Sequence, residues 1–347
     1  MSNFWMKLRK PFFVLAPMAD VTDAAFRRII AKYGKPDALW TEFVSADGLA
    51  SQGRENLKYN LIYLEKERPI VVQLFSSHPD KMREAAKFCA DLGFDGIDIN
   101  MGCPDRSIEK QGAGAAMMKD MAKAGEIIEA VKNGIKDAKK RIPVSVKTRI
   151  GYSKNQIDEW IPFLLSCNID ALSIHARTRK EMSDVPARWE HVKEIVDIRN
   201  KMKVKTKIIG NGDVKNLTQA RILAKETGCD GIMIGRAIFG NPWLFRNKIN
   251  SKFSQVLGSP RNYARPDHSK ILINFIPSTK EKLKVLVEHT KLFEKLLGKY
   301  KNFAVMKKHF KAYANGFNGA RELRLKLMET NSAKEVEAII KKFLKTH

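Results

Sequence analysis

Cysteine is scarce: the 347 residues contain four, Cys89, Cys103, Cys167 and Cys229, and no two form a Cys-x-x-Cys pair. That spacing excludes the common structural zinc sites and a redox dithiol. Scattered thiols in a chain this long also build no disulfide framework, so no metal is expected. Cys89, Cys167 and Cys229 read as small core residues. Long apolar runs are also missing. No window approaches the roughly 18–20 uninterrupted apolar residues of a membrane span. No segment read as a secretory h-region follows the basic residues of Met1–Lys10, so no secretory signal is read there and a cytoplasmic location is expected. No Gly-x-Gly-x-x-Gly follows the first apolar run, which argues against a doubly wound dinucleotide fold. There is no internal repeat and no low-complexity tract.

Acidic side chains are few: 38 Asp and Glu stand against 63 Lys and Arg, a net charge of +25. An excess of this size attracts polyanions, and nucleic acid is the usual one for a protein without a membrane segment. The excess is uneven. Residues 1–240 carry 40 basic and 30 acidic side chains, whereas residues 241–347 carry 23 and 8, so +15 of the +25 sits in the last third. That points to a basic module rather than to lysine-rich drift along the whole chain.

Short apolar runs recur through the first two thirds: Phe12–Ala19, Ala38–Phe43, Ile70–Phe75, Gly96–Asn100, Val144–Arg149, Ala171–Ala176, Lys207–Gly212 and Gly231–Gly235. Segments with helix punctuation lie between them. His78-Pro79-Asp80 opens one that stops at Gly93, and Thr22 to Gly34 and Asn216 to Gly228 read the same way. This alternation predicts a (β/α)8 TIM barrel over residues 1–250. Residues 251–279, with Gly258, Pro260, Pro266 and Pro277, read as a connection. Residues 280–347 then read as a small basic C-terminal helical bundle. Its signs are an apolar stripe at Leu283, Leu286, Val287, Phe293 and Leu296, a second helix around Val305, Phe310 and Tyr313, and a Ser332/Glu335 capping box.

Polar residues gather at the C-terminal ends of the runs, where a barrel builds its active site. Gly210, Gly212 and Gly235 let backbone N–H groups approach an anion, and Arg236 adds a charged donor. Tight turns alone would explain the glycines but not the arginine. Together they suggest a phosphorylated ligand. Lys147 and Gln73 would then face its ring. A lysine stabilises the negative charge that a reduced flavin carries, and an amide suits the donor–acceptor edge of the flavin pyrimidine. Met18, beside Pro17, offers a polarizable contact to a ring face. Cys103 sits between Gly102 and Pro104 just past a strand. It reads first as a proton donor, since an ordinary thiol is protonated near neutral pH. A buried small residue and a nucleophile are the other readings. The stretch Gln111–Ala115 reads as a mobile loop over the site or as an ordinary turn.

These strings resemble the tRNA-dihydrouridine synthase family, in particular its bacterial type B branch. The matching residues are Ala16-Pro17-Met18-Ala19 with Thr22-Asp23, Gln73, Asp98-Ile99-Asn100-Met101-Gly102-Cys103-Pro104, Lys147-Thr148-Arg149, His175-Ala176-Arg177-Thr178-Arg179, Asn211-Gly212-Asp213 and Ile234-Gly235-Arg236-Ala237. They run in family order through the barrel, and Lys307-Lys308-His309 extends the likeness into the bundle. The sequence departs from the family pattern at Phe75-Ser76-Ser77, where a glycine is common, and in the long connection. The resemblance implies FMN at the barrel mouth, NADPH as reductant and uridine in tRNA as substrate. It implies a hydride passed from flavin N5 to uracil C6 and a proton given by Cys103 to C5. Flavin contacts would come from Pro17, Met18, Gln73, Lys147, His175, Asn211, Gly212, Asp213, Gly235 and Arg236. Asn100 and Arg177 would hold the uracil edge, and Lys307, Lys308 and Lys311 would meet tRNA phosphates. A monomer is expected. Two other classes share part of this pattern: a small-molecule flavin enzyme, which needs no basic module, and a catalytically idle RNA-binding protein, which needs no Cys103, Lys147 or Arg236.

Overall fold

A computed structural model describes residues 3–246 and 275–346; most of the stretch read as a connection, 251–274, lies outside the described residues. Eight parallel strands form one sheet: β1 (Phe12–Leu15), β2 (Leu39–Ser45), β3 (Ile70–Phe75), β4 (Gly96–Met101), β5 (Val144–Arg149), β6 (Ala171–His175), β7 (Lys207–Asn211) and β8 (Gly231–Ile234). Neighbours in sequence are neighbours in the sheet, and β1 pairs with β8 from Phe12↔Gly231 to Leu15↔Ile234. The circle closes between β1 and β2 through the bridge Val14↔Ala38. The strands are covered on both faces, which is why each reads as a short, nearly continuous apolar run.

The outer helices are α1 (Ala24–Tyr33), the short α2 (Ala46–Leu49), α3 (Pro79–Asp91), the short α4 (Arg106–Lys110), α5 (Met121–Asp137), α6 (Ile157–Ser166), α7 (Glu190–Lys201) and α8 (Leu217–Thr227). Their ends follow the punctuation. The Phe26 N–H donates to the Asp23 carboxylate at 2.9 Å to cap α1, and the Gln219 N–H donates to Asn216 Oδ1 at 2.8 Å to cap α8. Gly228 ends α8 at φ 69°, a left-handed position that suits glycine.

The barrel interior is sorted by height. Trp5, Phe12, Val14, Trp40, Val71, Ala171, Ile209 and Met233 form one apolar cluster in the lower barrel, with Trp5 and Trp40 5.8 Å apart. Side chains alternate along a strand, so the next inward positions up are Gln73 after Val71, Ser173 and His175 after Ala171, and Asn211 after Ile209. The barrel therefore has an apolar base and a polar top.

Beyond the barrel come α9 (Thr279–Leu297), α10 (Lys307–Tyr313), α11 (Ala320–Met328) and α12 (Ala333–Thr346). The first begins with a capping box: the Glu281 N–H donates to Ser278 Oγ at 3.2 Å, and the Ser278 N–H donates to Glu281 Oε2 at 2.8 Å. Leu283, Leu286 and Phe293 are buried as the stripe implies, while Val287 and Leu296 are only partly buried. The bundle core is not self-contained. It takes in Ala25 and Ile29 of α1 and Trp243 from the segment after β8. At this seam Gly34 lies so close to the main chain that a Cβ there would sit 2.7 Å from the Pro242 carbonyl oxygen, and Gly240, at φ 68°, abuts the Ala312 carbonyl. Buried in the same seam, His289 and His309 meet edge to face at 4.7 Å, with Phe26, Phe239 and Tyr313 around them. Among the described residues neither imidazole makes a hydrogen bond, nor does the Tyr313 hydroxyl.

Candidate active site

The polar top of the barrel opens into a cleft of about 230 Å³. Pro17, Met18, Lys147, His175, Asn211, Gly212, Asp213, Gly235 and Arg236 all line it, from strands or loops β1, β5, β6, β7 and β8. Ser183, Val214 and Met233 line it too, without any signal in the sequence that marked them. Gln73 lies lower, 1% exposed. Its Nε2 donates to Asp98 at 2.6 Å and its Oε1 accepts from Asn100 Nδ2 at 3.3 Å.

Asn100 builds the loop that carries Cys103. Its Oδ1 accepts the N–H of Gly102 at 3.1 Å and that of Cys103 at 2.9 Å. The Cys103 carbonyl in turn accepts the Ala115 N–H at 2.9 Å. Ala113, Gly114, Ala115, Met117 and Met118 are buried, so this stretch is packed under the cysteine loop rather than draped over the mouth. From the other side Arg149, itself buried, donates through Nε to the Gly102 carbonyl at 2.9 Å and through Nη1 to the carbonyls of Thr178 and Met182 at 3.0 and 2.9 Å. The loops after β4 and β6 are thus tied by one guanidinium. Burial raises the Cys103 pKa, so its thiol keeps its proton at neutral pH.

Lys147 sits beside Asn100 in the β4–β5 register and beside Ser173 in the β5–β6 register. Burial and then the neighbouring Arg149 charge lower its pKa to about 8, with Asp98 and Cys103 acting the other way. Its ammonium forms no ion pair among the described residues. A half-buried cation aimed into a cleft and lacking a carboxylate partner fits an anionic ring edge. Asp98, buried among Gln73 and Ser145, is pushed up to about 6 by desolvation.

The far wall is one connected network. Arg177, 2% exposed, donates through Nε to the Val185 carbonyl at 2.6 Å and through Nη1 to His175 Nε2 at 2.9 Å, and Nη2 pairs with Asp213. Because a guanidinium only donates, His175 accepts at Nε2 and carries its proton on Nδ1. Burial first, then Lys147, Arg149 and Arg177, hold the His175 pKa well below its ordinary value, so the ring is neutral. Asp213, at φ 54°, also accepts from the Ala187 N–H and from Arg236 Nη2, both at 2.9 Å. Burial works against its ionisation, but the Ala187 N–H and the Arg177 charge hold its pKa below the usual carboxylate range. In this network Asp213 orients the two arginines, and the Arg236 side chain stays 66% exposed at the rim.

A family model described as dihydrouridine synthase matches residues 14–347 of this chain. The chain belongs to the dihydrouridine synthase family. It is therefore an enzyme, an oxidoreductase that works with a flavin and makes dihydrouridine. A probable tRNA-dihydrouridine synthase of Staphylococcus aureus is 37% identical over 346 residues, covering 98% of this chain and 95% of that one. Probable tRNA-dihydrouridine synthase 2 of Bacillus subtilis is 37% identical over 344 residues, covering 98% and 96%. A probable tRNA-dihydrouridine synthase of Staphylococcus epidermidis is 38% identical over 346 residues, also covering 98% and 96%.

The bundle lysines stand apart from this cleft. Lys308 and Lys311 are exposed on α10 while Lys307 is partly buried, and Phe310 and Tyr313 of the same helix turn inward. None of the three lysines forms an ion pair among the described residues. Another lysine bridges the two parts of the chain: Lys301 Nζ, in the turn after α9, lies 2.9 Å from both Glu42 carboxylate oxygens and 3.1 Å from Asp20. Among the described residues no helix is long and apolar enough to cross a membrane.

Proposed function

We propose that this chain reduces uridine to 5,6-dihydrouridine in tRNA, with FMN as its flavin and NADPH as the reductant. The observation that carries the reading is a cleft that brings Lys147, which forms no ion pair among the described residues, together with the glycine-flanked Arg236 rim, while the Cys103 loop is tied by Arg149 to the loop after β6. When bound, FMN supplies the hydride. Gly212, Gly235 and Arg236 would hold its phosphate end, Asn211 and Asp213 its ribityl side, Pro17 and Met18 its ring, and Lys147, His175 and Gln73 its polar edges. Lys147 places positive charge where a reduced ring is negative, which favours the reduced form.

Cys103 holds its proton on Sγ and delivers it to uracil C5 as the hydride arrives at C6. Asn100 and Arg149 fix the loop from both sides, so the thiol reaches one position without searching for it. Asn100 and Arg177 would meet the uracil edge through the N–H groups left over from their bonds to Gln73, His175 and Asp213. The target base must leave its stack to reach this floor. The basic bundle, with Lys307, Lys308 and Lys311, would hold the tRNA by its phosphates. A cytoplasmic monomer of a barrel (1–250), a connection (251–279) and a tRNA-binding bundle (280–347) fits this task.

The direct test is to incubate purified protein with NADPH and unmodified tRNA transcript and to map dihydrouridine in the product. FMN released on denaturation and dihydrouridine at a defined position are expected. FAD as the released flavin, or NADPH oxidation that tRNA does not accelerate, would refute the reading.

A further inference from the structure

Tyr59 and Tyr300 stack at the junction of barrel and bundle, with ring centroids 5.1 Å apart and planes inclined by 16°. Tyr59 belongs to the helical turns Gln52–Leu61 after β2, and Tyr300 to the turn after α9. Tyr300 remains 56% exposed, among the most exposed large apolar side chains described. The pair is held firmly. The N–H groups of Tyr300 and Lys301 both donate to the Leu297 carbonyl at 2.8 Å. Lys301 lies 5.8 Å over the Tyr59 ring while its ammonium is bound to Glu42 and Asp20. Asp20 is two residues beyond Met18, which lines the cleft. The exposed ring therefore sits on a pinned turn that is tied, through Lys301 and Asp20, to the loop after β1 that lines the cleft. Its neighbour Lys299 is exposed and forms no ion pair among the described residues.

We propose that the Tyr59–Tyr300 pair is a stacking platform for a nucleobase of the RNA substrate, one adjoining the uridine drawn into the cleft. The proposal rests on the reading of the chain as an RNA-modifying enzyme. A base taken from its stack leaves its neighbours with a bare face, and an aromatic ring beside the mouth replaces the lost partner. A ring already backed by a second ring presents a flat, rigid face at little entropic cost. The exposed Lys299 attracts a phosphate beside the stacked base. Tyr300 stays 56% exposed with Tyr59 stacked on it, which leaves ring surface for a base.

Two measurements on the flavin-loaded full chain decide. Binding of unmodified tRNA transcript is titrated for wild type, Tyr300→Leu and Tyr300→Trp, alongside thermal melting of each. Leucine keeps apolar bulk and loses the π face, so Tyr300→Leu should bind roughly 5- to 150-fold more weakly, the range for loss of one base–aromatic stack, while Tyr300→Trp keeps wild-type affinity or better. Ultraviolet crosslinking of wild type to the same tRNA, mapped at residue level, should place a nucleotide on Tyr300, and this stands even if the leucine variant folds poorly. Wild-type binding with equal affinity for Tyr300→Leu, or crosslinks that bypass Tyr300, overturns the platform. A wild-type protein that fails to bind tRNA at all overturns the functional reading beneath it.

Discussion

The histidine pair at the seam makes a prediction that the structure quantifies. Burial drives the His289 pKa from its ordinary value down to about 3, and His309 is also held well below. An unfolded chain protonates these rings near pH ~6.5, whereas the native chain resists until far lower pH. Between the two values the unfolded state binds more protons, so native stability falls as pH drops, by about 1.4 kcal/mol per pH unit for each histidine. Asp23 and Asp98 oppose this. Burial raises both to about 6, so below that value the native state binds the extra protons and the wild-type curve is flattened. Comparing variants removes the offset. His289→Phe keeps a ring against Phe26 and His309 and discards one titration. Its stability relative to wild type should therefore rise by about 1.4 kcal/mol at pH ~5.5 and about 2.7 kcal/mol at pH ~4.5, with no pH-linked gain at pH ~7.5. Urea unfolding monitored by far-ultraviolet circular dichroism at the three pH values reads this directly. Parallel wild-type and variant curves from neutral pH to ~4.5 would show that the native ring titrates normally, and the argument from burial would fail.

Other outcomes follow from the cleft and the bundle. Cys103→Ala should retain flavin and its reduction by NADPH, yet its oxidation by tRNA, followed by stopped-flow absorbance, should slow by about two to four orders of magnitude; a wild-type rate would mean that another group gives the proton. Arg236→Ala should weaken FMN binding by about 1.5–3 kcal/mol in calorimetry, the range for a hydrogen bond to a charged group, and an unchanged Kd would remove the rim arginine from the phosphate site. Changing Lys307, Lys308 and Lys311 together to Ala should lower the salt slope of tRNA binding by up to about 0.9 per lost phosphate contact; an unchanged slope excludes α10 as a docking surface. Lys301→Met strands the buried Glu42 and should cost about 3–5 kcal/mol, with most of it recovered in Lys301→Met/Glu42→Gln. If the double variant is no more stable than the single one in urea unfolding, the pair is not what matters there.

The barrel was legible because its signals are local. Each strand is a short apolar run, and Asp23, Asn216, Pro79 and Gly228 mark helix ends by chemistry that acts within a few residues. The cleft residues were legible because they end those strands. The supporting partners were not, because their interactions join distant positions. Nothing near Arg149 in the sequence indicates that it ties Gly102 to Met182, and nothing near Lys301 indicates Glu42. The family resemblance implies roles toward substrate for Asn100 and Arg177, and both are braced within the protein by bonds to distant positions. α11 carries no start signal in the sequence: it opens at Gly319, at φ 74°, with no side-chain cap.

The glycine seam bears on how such a protein can change over evolutionary time. With Gly34 pressed on Pro242 and Gly240 on Ala312, two stretches of barrel main chain and one of bundle main chain touch without side chains between them. Ala25, Ile29 and Trp243 complete the bundle's core from the barrel side. The unit that could be exchanged between relatives is thus discontinuous: α1, the segment around 240–243 and the four C-terminal helices would have to travel together. A graft cut at the apparent boundary would leave a barrel with a bare apolar flank and a bundle without its floor.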